Sequence, residues 1–191
     1  MTTEVGICNR ALGAIGVSEQ ITALTEGTAR ANACNLVYGD LRDEVLAAHE
    51  WGFATTRCKL ARLAAAPAFG FANAFALPSD LLRISEVSAD TASLSRPRYR
   101  IEDGRVLSDA ADLYLRHIKR VTDPNAFSTL FTTALVFRLA WEIALAITQT
   151  RSIADDMRRN FGAAIAKARG VDSQEDDTPG LPEGGWITDR F

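Results

Sequence analysis

From Thr55 to Val121 apolar residues recur mostly at every second position, and on either side of that stretch they recur every three or four. A period of two belongs to an extended strand and a period near 3.6 to a helix. The chain must therefore change from helix to sheet and back again. The fold class this predicts is α+β: a four-helix bundle of two N-terminal and two C-terminal helices, an inserted small antiparallel β-region, and an extended C-terminal arm. The boundaries read from the pattern are 1–54 and 122–170 for the helical bundle, 55–121 for the β-region and 171–191 for the arm. No internal repeat at a solenoid period is visible.

The first helix is expected from about Thr3 to Ile15, with Val5, Cys8, Leu12 and Ile15 as its apolar stripe. Thr2 or Thr3 can cap it and Gly16 can stop it. The second is expected from about Thr28 to His49, burying Ala33, Leu36, Val37, Leu41, Val45 and Ala48 while Arg30, Asn35, Arg42 and Asp43 point elsewhere. Trp51 and Phe53 flank Gly52, and their rings are expected to seal the base of the helical part.

In the β-region, Cys58–Leu63, Phe75–Leu77, Leu82–Val87 and Leu113–Ile118 read as strands of one small, mostly antiparallel sheet. The sharpest local signal is Asp103-Gly104, which supplies the positive φ angles of a two-residue hairpin turn. In that register Glu102 faces Arg105 and Ile101 faces Val106, so charge meets charge and apolar meets apolar.

The third helix is expected to start at Asp123 as cap with Pro124 in the first helical position. It continues to about Thr148, roughly 25 residues and close to 40 Å. Phe127, Leu130, Phe131, Leu135, Phe137, Leu139, Trp141, Ile143 and Leu145 make it apolar nearly all round, which predicts a central helix. Its most apolar run, Ala134 to Ile147, is short for a bilayer and contains Arg138 and Glu142, so it reads as core rather than membrane. The fourth helix is expected from about Ser152 to Arg169 with Ala154, Met157, Phe161, Ile165 and Ala168 inside, ended by Gly170. The arm after it is acidic and rich in Pro and Gly, yet carries Trp186, Ile187 and Phe191 near its tip. Large apolar residues at the end of a solvated segment predict docking on another surface.

The chemistry-bearing residues do not assemble into a reactive motif. His49 and His117 are the two histidines, and Phe53 stands where a zinc-protease helix needs its second histidine. No serine sits in a nucleophile-elbow context, and Gly13 to Gly16 lacks both the Rossmann spacing and the Walker lysine. Asp155-Asp156 suits a helix N-terminus, and Asp176-Asp177 suits a solvated segment. Three cysteines, Cys8, Cys34 and Cys58, are an odd and widely spaced set, which points to reduced residues rather than disulfides or zinc ligands. No catalytic residue, metal or cofactor is expected. The N-terminus holds Glu4 and no apolar core, so no signal peptide is expected. A net charge of -3 argues against a free-standing DNA-binding protein. Arg96, Arg98, Arg100, Arg105, Arg116, Lys119 and Arg120 do cluster in the β-region, but Glu102, Asp103, Asp109 and Asp112 lie among them. A salt-bridged surface or polar protein interface is the expectation there, with Arg98, Arg100, Arg105, Arg116 and Arg120 as its face.

Taken in order, several short phrases resemble the head-to-tail adaptors of phages, the podovirus tail tubular protein A family. Ile7-Cys8-Asn9-Arg10-Ala11-Leu12-Gly13-Ala14-Ile15-Gly16 is similar to that family's opening "N-x-A-L-x-x-I-G". Ile21-Thr22-Ala23-Leu24 stands where the family often has "I-x-S-L", and Trp51-Gly52-Phe53 resembles its "W-x-F". Leu77-Pro78-Ser79-Asp80-Leu81-Leu82-Arg83-Ile84 is similar to its "L-P-x-D-x-L-R-I". The resemblance spans about Val5 to Arg169 and does not reach the arm.

The resemblance implies a structural subunit, not an enzyme. Such proteins form a homo-oligomeric ring, typically a 12-mer, between the portal protein and the tail nozzle or tail tubular B-like protein. Genomic double-stranded DNA passes through the ring without specific binding, and no membrane is involved. The place implied is the tail or neck of a virion assembled in the host cytoplasm. A mixed or acidic bore lets DNA slide, which the net charge suits. The interface candidates are Trp186, Ile187, Phe191, Trp141 and Phe137. Two other readings compete: a neck or stopper protein of a long-tailed phage, and a nucleic-acid-binding regulator using the arginine-rich sheet.

Overall fold

A hydroxyl side chain caps each of the first three helices. In the computed structural model, which describes residues 2–91 and 96–175, Thr3 Oγ1 accepts from Gly6 N at 3.0 Å and α1 runs Glu4–Ala14. Thr28 Oγ1 accepts from Ala31 N at 3.2 Å and α2 runs Ala29–Ala47. Ser128 Oγ accepts from Phe131 N at 3.2 Å and α3 runs Thr129–Thr148, while α4 runs Arg151–Glu175. Gly16 ends α1 at φ 87°, in the left-handed region where a side chain is strained. The loop it opens is tied down by Asn9, which donates to Ile21 O at 2.9 Å and accepts from Ile21 N at 2.8 Å.

Between α2 and α3 the described residues form seven strands: β1 Thr55–Lys59, β2 Ala61–Arg62, β3 Asn73–Ala76, β4 Leu81–Ser88, β5 Tyr99–Glu102, β6 Arg105–Ser108 and β7 Tyr114–Lys119. They form two antiparallel sheets, ordered β1-β7-β4 and β2-β3-β6-β5. The protein is thus α+β, with four helices and two small antiparallel sheets among the described residues. The single sheet expected from the sequence is split because the Cys58–Leu63 run breaks at Leu60. That residue is buried, its N–H bonds to Leu113 O at 2.8 Å, and the chain steps there from one sheet to the other. The β5–β6 hairpin has the expected register, Glu102 opposite Arg105 and Ile101 opposite Val106, with Asp103 and Gly104 at φ 49° and 67°.

Two apolar cores result. In the larger, α3 packs against α1, α2 and α4. Ten of its 20 residues are buried, so although it is long and apolar enough to cross a membrane, its apolar surface is largely spent inside the protein. At the foot of this core Trp51 is fully buried, donates Nε1–H to Val45 O at 2.9 Å, and meets Phe131 edge-on at 5.2 Å. Phe53 and Phe127 complete the aromatic cluster. The smaller core lies between the sheets and joins Leu60, Phe75, Val87, Val106, Leu113 and Leu115.

Three sequence expectations need correction. Leu36 is 79% exposed rather than buried, Ala48 is exposed too, and Arg42, expected to point elsewhere, is buried; the buried face of α2 holds Ala31, Cys34, Tyr38, Leu41, Arg42, Val45 and Leu46. Leu36 and Tyr38 differ by about 200° around the axis, so a helix covered from one side buries one or the other. Asp123 and Pro124 start only a 3₁₀ turn, Pro124–Ala126; Phe127 is then extended, which sends its ring into the aromatic cluster, and α3 is capped afresh by Ser128. Gly170 does not end α4, and residues 171–175 belong to that helix rather than to an arm. Arg169 Nη2 donates to Ala48 O at 3.0 Å, and the Asp172 carboxylate accepts from Gly52 N at 3.2 Å and lies 3.2 Å from His49 Nε2. Those tertiary bonds offset the helix cost of a glycine, about 1 kcal/mol.

Replacing Trp51 by Ala is expected to cost about 3–5 kcal/mol, the usual toll for emptying a large aromatic site. Replacing Phe69, which is 88% exposed, by Ser is expected to change stability by less than about 0.5 kcal/mol. Urea unfolding of both variants measures the contrast.

Candidate interaction surfaces

The face of the first sheet that meets the helices near Ile118 continues past them as a polar surface. Side chains of one parity share a face, so Arg57 stands opposite Arg116 and Lys59 opposite Tyr114 across β1–β7, with Glu86 opposite Arg116 from β4. Like charges directly opposite are unfavourable unless countered. Arg116 is countered twice, by Glu86 at 3.4 Å and by Glu50 at 3.3 Å; Glu50 also reaches Arg83 at 3.6 Å. Lys59 pairs with Asp112 at 3.0 Å, a contact that raises its pKa. Arg57 has no ion-pair partner among the described residues. A shallow cavity of about 370 Å³ opens here, with Arg57, Glu86, Tyr114 and Arg116 in its lining.

The arginines singled out in the sequence do not form one free basic field. Arg100 pairs with Glu102 at 3.4 Å, Arg105 with Asp103 at 3.2 Å and Arg120 with Asp43 at 2.5 Å. The Arg98 guanidinium lies over the Phe71 ring at 5.0 Å. Exposed pairs of this kind add little stability, typically 0–1 kcal/mol, but they consume charge that would otherwise meet phosphate. Phe137 and Trp141 are half-buried and pack on the larger core, with the Trp141 ring tilted against Phe161 at 6.3 Å and under the Arg138 guanidinium at 4.5 Å. Trp186, Ile187 and Phe191 lie outside the described residues.

One constellation resembles a nucleophile, base and acid. Cys58 and His117 lie on the same face of neighbouring strands, and His117 Nε2 is 3.9 Å from Asp80 Oδ1. Its electrostatics oppose a thiolate at Cys58. Burial and the nearby Asp80 charge push the Cys58 thiol up, away from the thiolate a nucleophile needs. His117 is 2% exposed, and neither ring nitrogen has a hydrogen-bond partner within the described structure. Cys8 and Cys34 are both buried, and all three cysteines are free. Among the described residues no group of three or more His, Cys, Asp or Glu could hold a metal ion.

Sequence reasoning missed an ion cluster that joins two helices. Arg138, 9% exposed, bonds both Glu44 oxygens at 3.0 Å and Glu142 at 2.8 Å, binding α2 to α3. The Arg138–Glu142 spacing of four was readable on a helix. Glu44 was not, because its role depends on how α2 packs. The clasp of His49, Gly52 and Asp172 was equally hidden, since it joins residues about 120 apart in the chain. No protein-family model matches the sequence, and no curated protein matches it.

His117 gives a pH dependence. Burial holds its pKa below the ordinary 6.5, against the Asp80 charge that raises it. Below pH 6.5 the unfolded chain therefore binds more protons than the folded one, and stability falls as pH drops from 6.5 toward the folded value. Replacing His117 by Leu is expected to flatten this slope. Urea midpoints at pH 7.5, 6.5 and 5.5 measure it, and an unchanged slope in the variant would assign the effect to other groups.

Proposed function

We propose that this chain is a structural ring subunit of a phage head-to-tail connector, placed between portal and tail nozzle around the DNA channel. In this reading the four helices act as one bundle that docks on the portal, and the two sheets form the distal part. The C-terminal residues 176–191, with Trp186, Ile187 and Phe191, serve as an arm to a neighbouring subunit or the portal.

The observation that carries the reading is where the family-like phrases fall. Each occupies a joint of the fold. Asn9, from the first phrase, locks the backbone of Ile21, from the second. Trp51, from the third, closes the end of α2 onto α3. In the fourth, Leu81 N bonds Pro78 O at 3.2 Å, and Asp80 O accepts from Arg120 N at 2.6 Å, tying the start of β4 to the end of β7. Short phrases at joints suit a scaffold whose shape is its function. The compensated arginines and the net charge of -3 suit a wall past which DNA slides rather than one that grips it. The same compensation disfavours the regulator reading.

Negative-stain images of the purified protein, alone and with the portal protein from the same genome, are expected to show symmetric annuli. A protein that stays monomeric in both would sink the reading. A truncation after Glu175 keeps Asp172 and its clasp, so it tests the arm without disturbing α4. It is expected to weaken ring or portal binding at least tenfold by sedimentation, with an unchanged unfolding midpoint.

A further inference from the structure

The helices leave two outward faces uncovered, and the two are complementary. On α2 the face opposite the buried stripe is centred on Leu36, 79% exposed, with Asp40 one turn later. On α4 the face opposite Met157, Ile165 and Ala168 is centred on Ala163 and Ala166, both exposed, with Lys167 one turn after Ala163. Neither Asp40 nor Lys167 has an ion-pair partner among the described residues. An isolated leucine on a helix exterior is unremarkable. Here it stands four residues before an unpaired acid, and on α4 the small, exposed Ala163 stands four residues before an unpaired base.

Both helices pack on α3, and the hydrogen bonds between them are confined to their C-terminal ends. The two outward faces are therefore separate surfaces of one subunit. The geometry points to a heterologous contact between copies of this chain, in which Leu36 of one subunit seats over Ala163 and Ala166 of the next and Asp40 pairs with Lys167. A contact between two different faces cannot close as a simple dimer. It repeats, and it forms a ring when the rotation closes. The inference rests on the ring reading above and deepens it by naming the two faces. Charge complementarity selects the occupant: a second copy offers the base to Asp40 and the acid to Lys167 at matching spacing.

The test uses the full chain in whichever state, free or portal-bound, the wild type assembles. Leu36 and Ala163 are exposed, so L36C and A163C leave the fold intact; Cys8 and Cys34 are buried, and the half-buried Cys58 is replaced by Ser (C58S) in every variant of the cross-linking test. Under mild oxidation the L36C/A163C double variant is expected to give a ladder of cross-linked species beyond the dimer on non-reducing gels. L36C alone and A163C alone should stop at dimers. D40K is expected to shift sedimentation toward monomer, and adding K167E is expected to restore the oligomer. An assembled wild type whose double-cysteine variant gives no ladder, and whose D40K variant sediments unchanged, overturns this contact and leaves the ring reading standing. A wild type that never assembles overturns both.

Discussion

The fold depends on one strand that serves two cores. Ile118 of β7 is fully buried among the helices, and Leu115, three residues earlier and so on the opposite face, is buried between the sheets. β7 is also the central strand of its sheet, hydrogen-bonded to β1 on one side and β4 on the other. The helices and the second sheet therefore do not meet through a flexible linker. They are held at a spacing set by the thickness of one β-sheet, with the Trp51 cluster bracing the helical side. For a proposed ring component this matters, because a channel wall keeps its bore only if each subunit keeps its shape.

What the sequence made legible was local chemistry. Thr3, Gly16 and the Asp103-Gly104 turn carry their own geometric instructions, and each performs the expected role. What it concealed was set by packing. Nothing local distinguishes a Leu36 turned outward from one turned inward on a helix with little amphipathic contrast. Nothing local marks Leu60 as the step between sheets, since a run of alternating residues looks the same in one sheet or two. Glycine often stops a helix, yet at Gly170 the partners of Asp172 and Arg169 lie far back in the chain and keep the helix going.

The surfaces follow the same division. The interleaving of acids and arginines in the β-region is visible in the sequence, and the structure pairs Arg100 with Glu102 and Arg105 with Asp103. Which acid meets which arginine depended on strand register and on Glu50, which enters from the end of α2. Arg138 shows why packing decides: two carboxylates from two helices converge on one nearly buried guanidinium. Removing either acid would leave that charge short of a partner in a poorly solvated place.

The strand order also bears on how the protein is made. β7 is the last strand to leave the ribosome, yet it is the middle strand of its sheet, with Thr55 paired to Ile118 and Val87 to Leu115. Until Lys119 is synthesised, β1 and β4 have no neighbour in that sheet. The nascent chain therefore carries unzipped strand edges from the time Lys59 is made until Lys119 follows it, and the first sheet closes only when its keystone arrives.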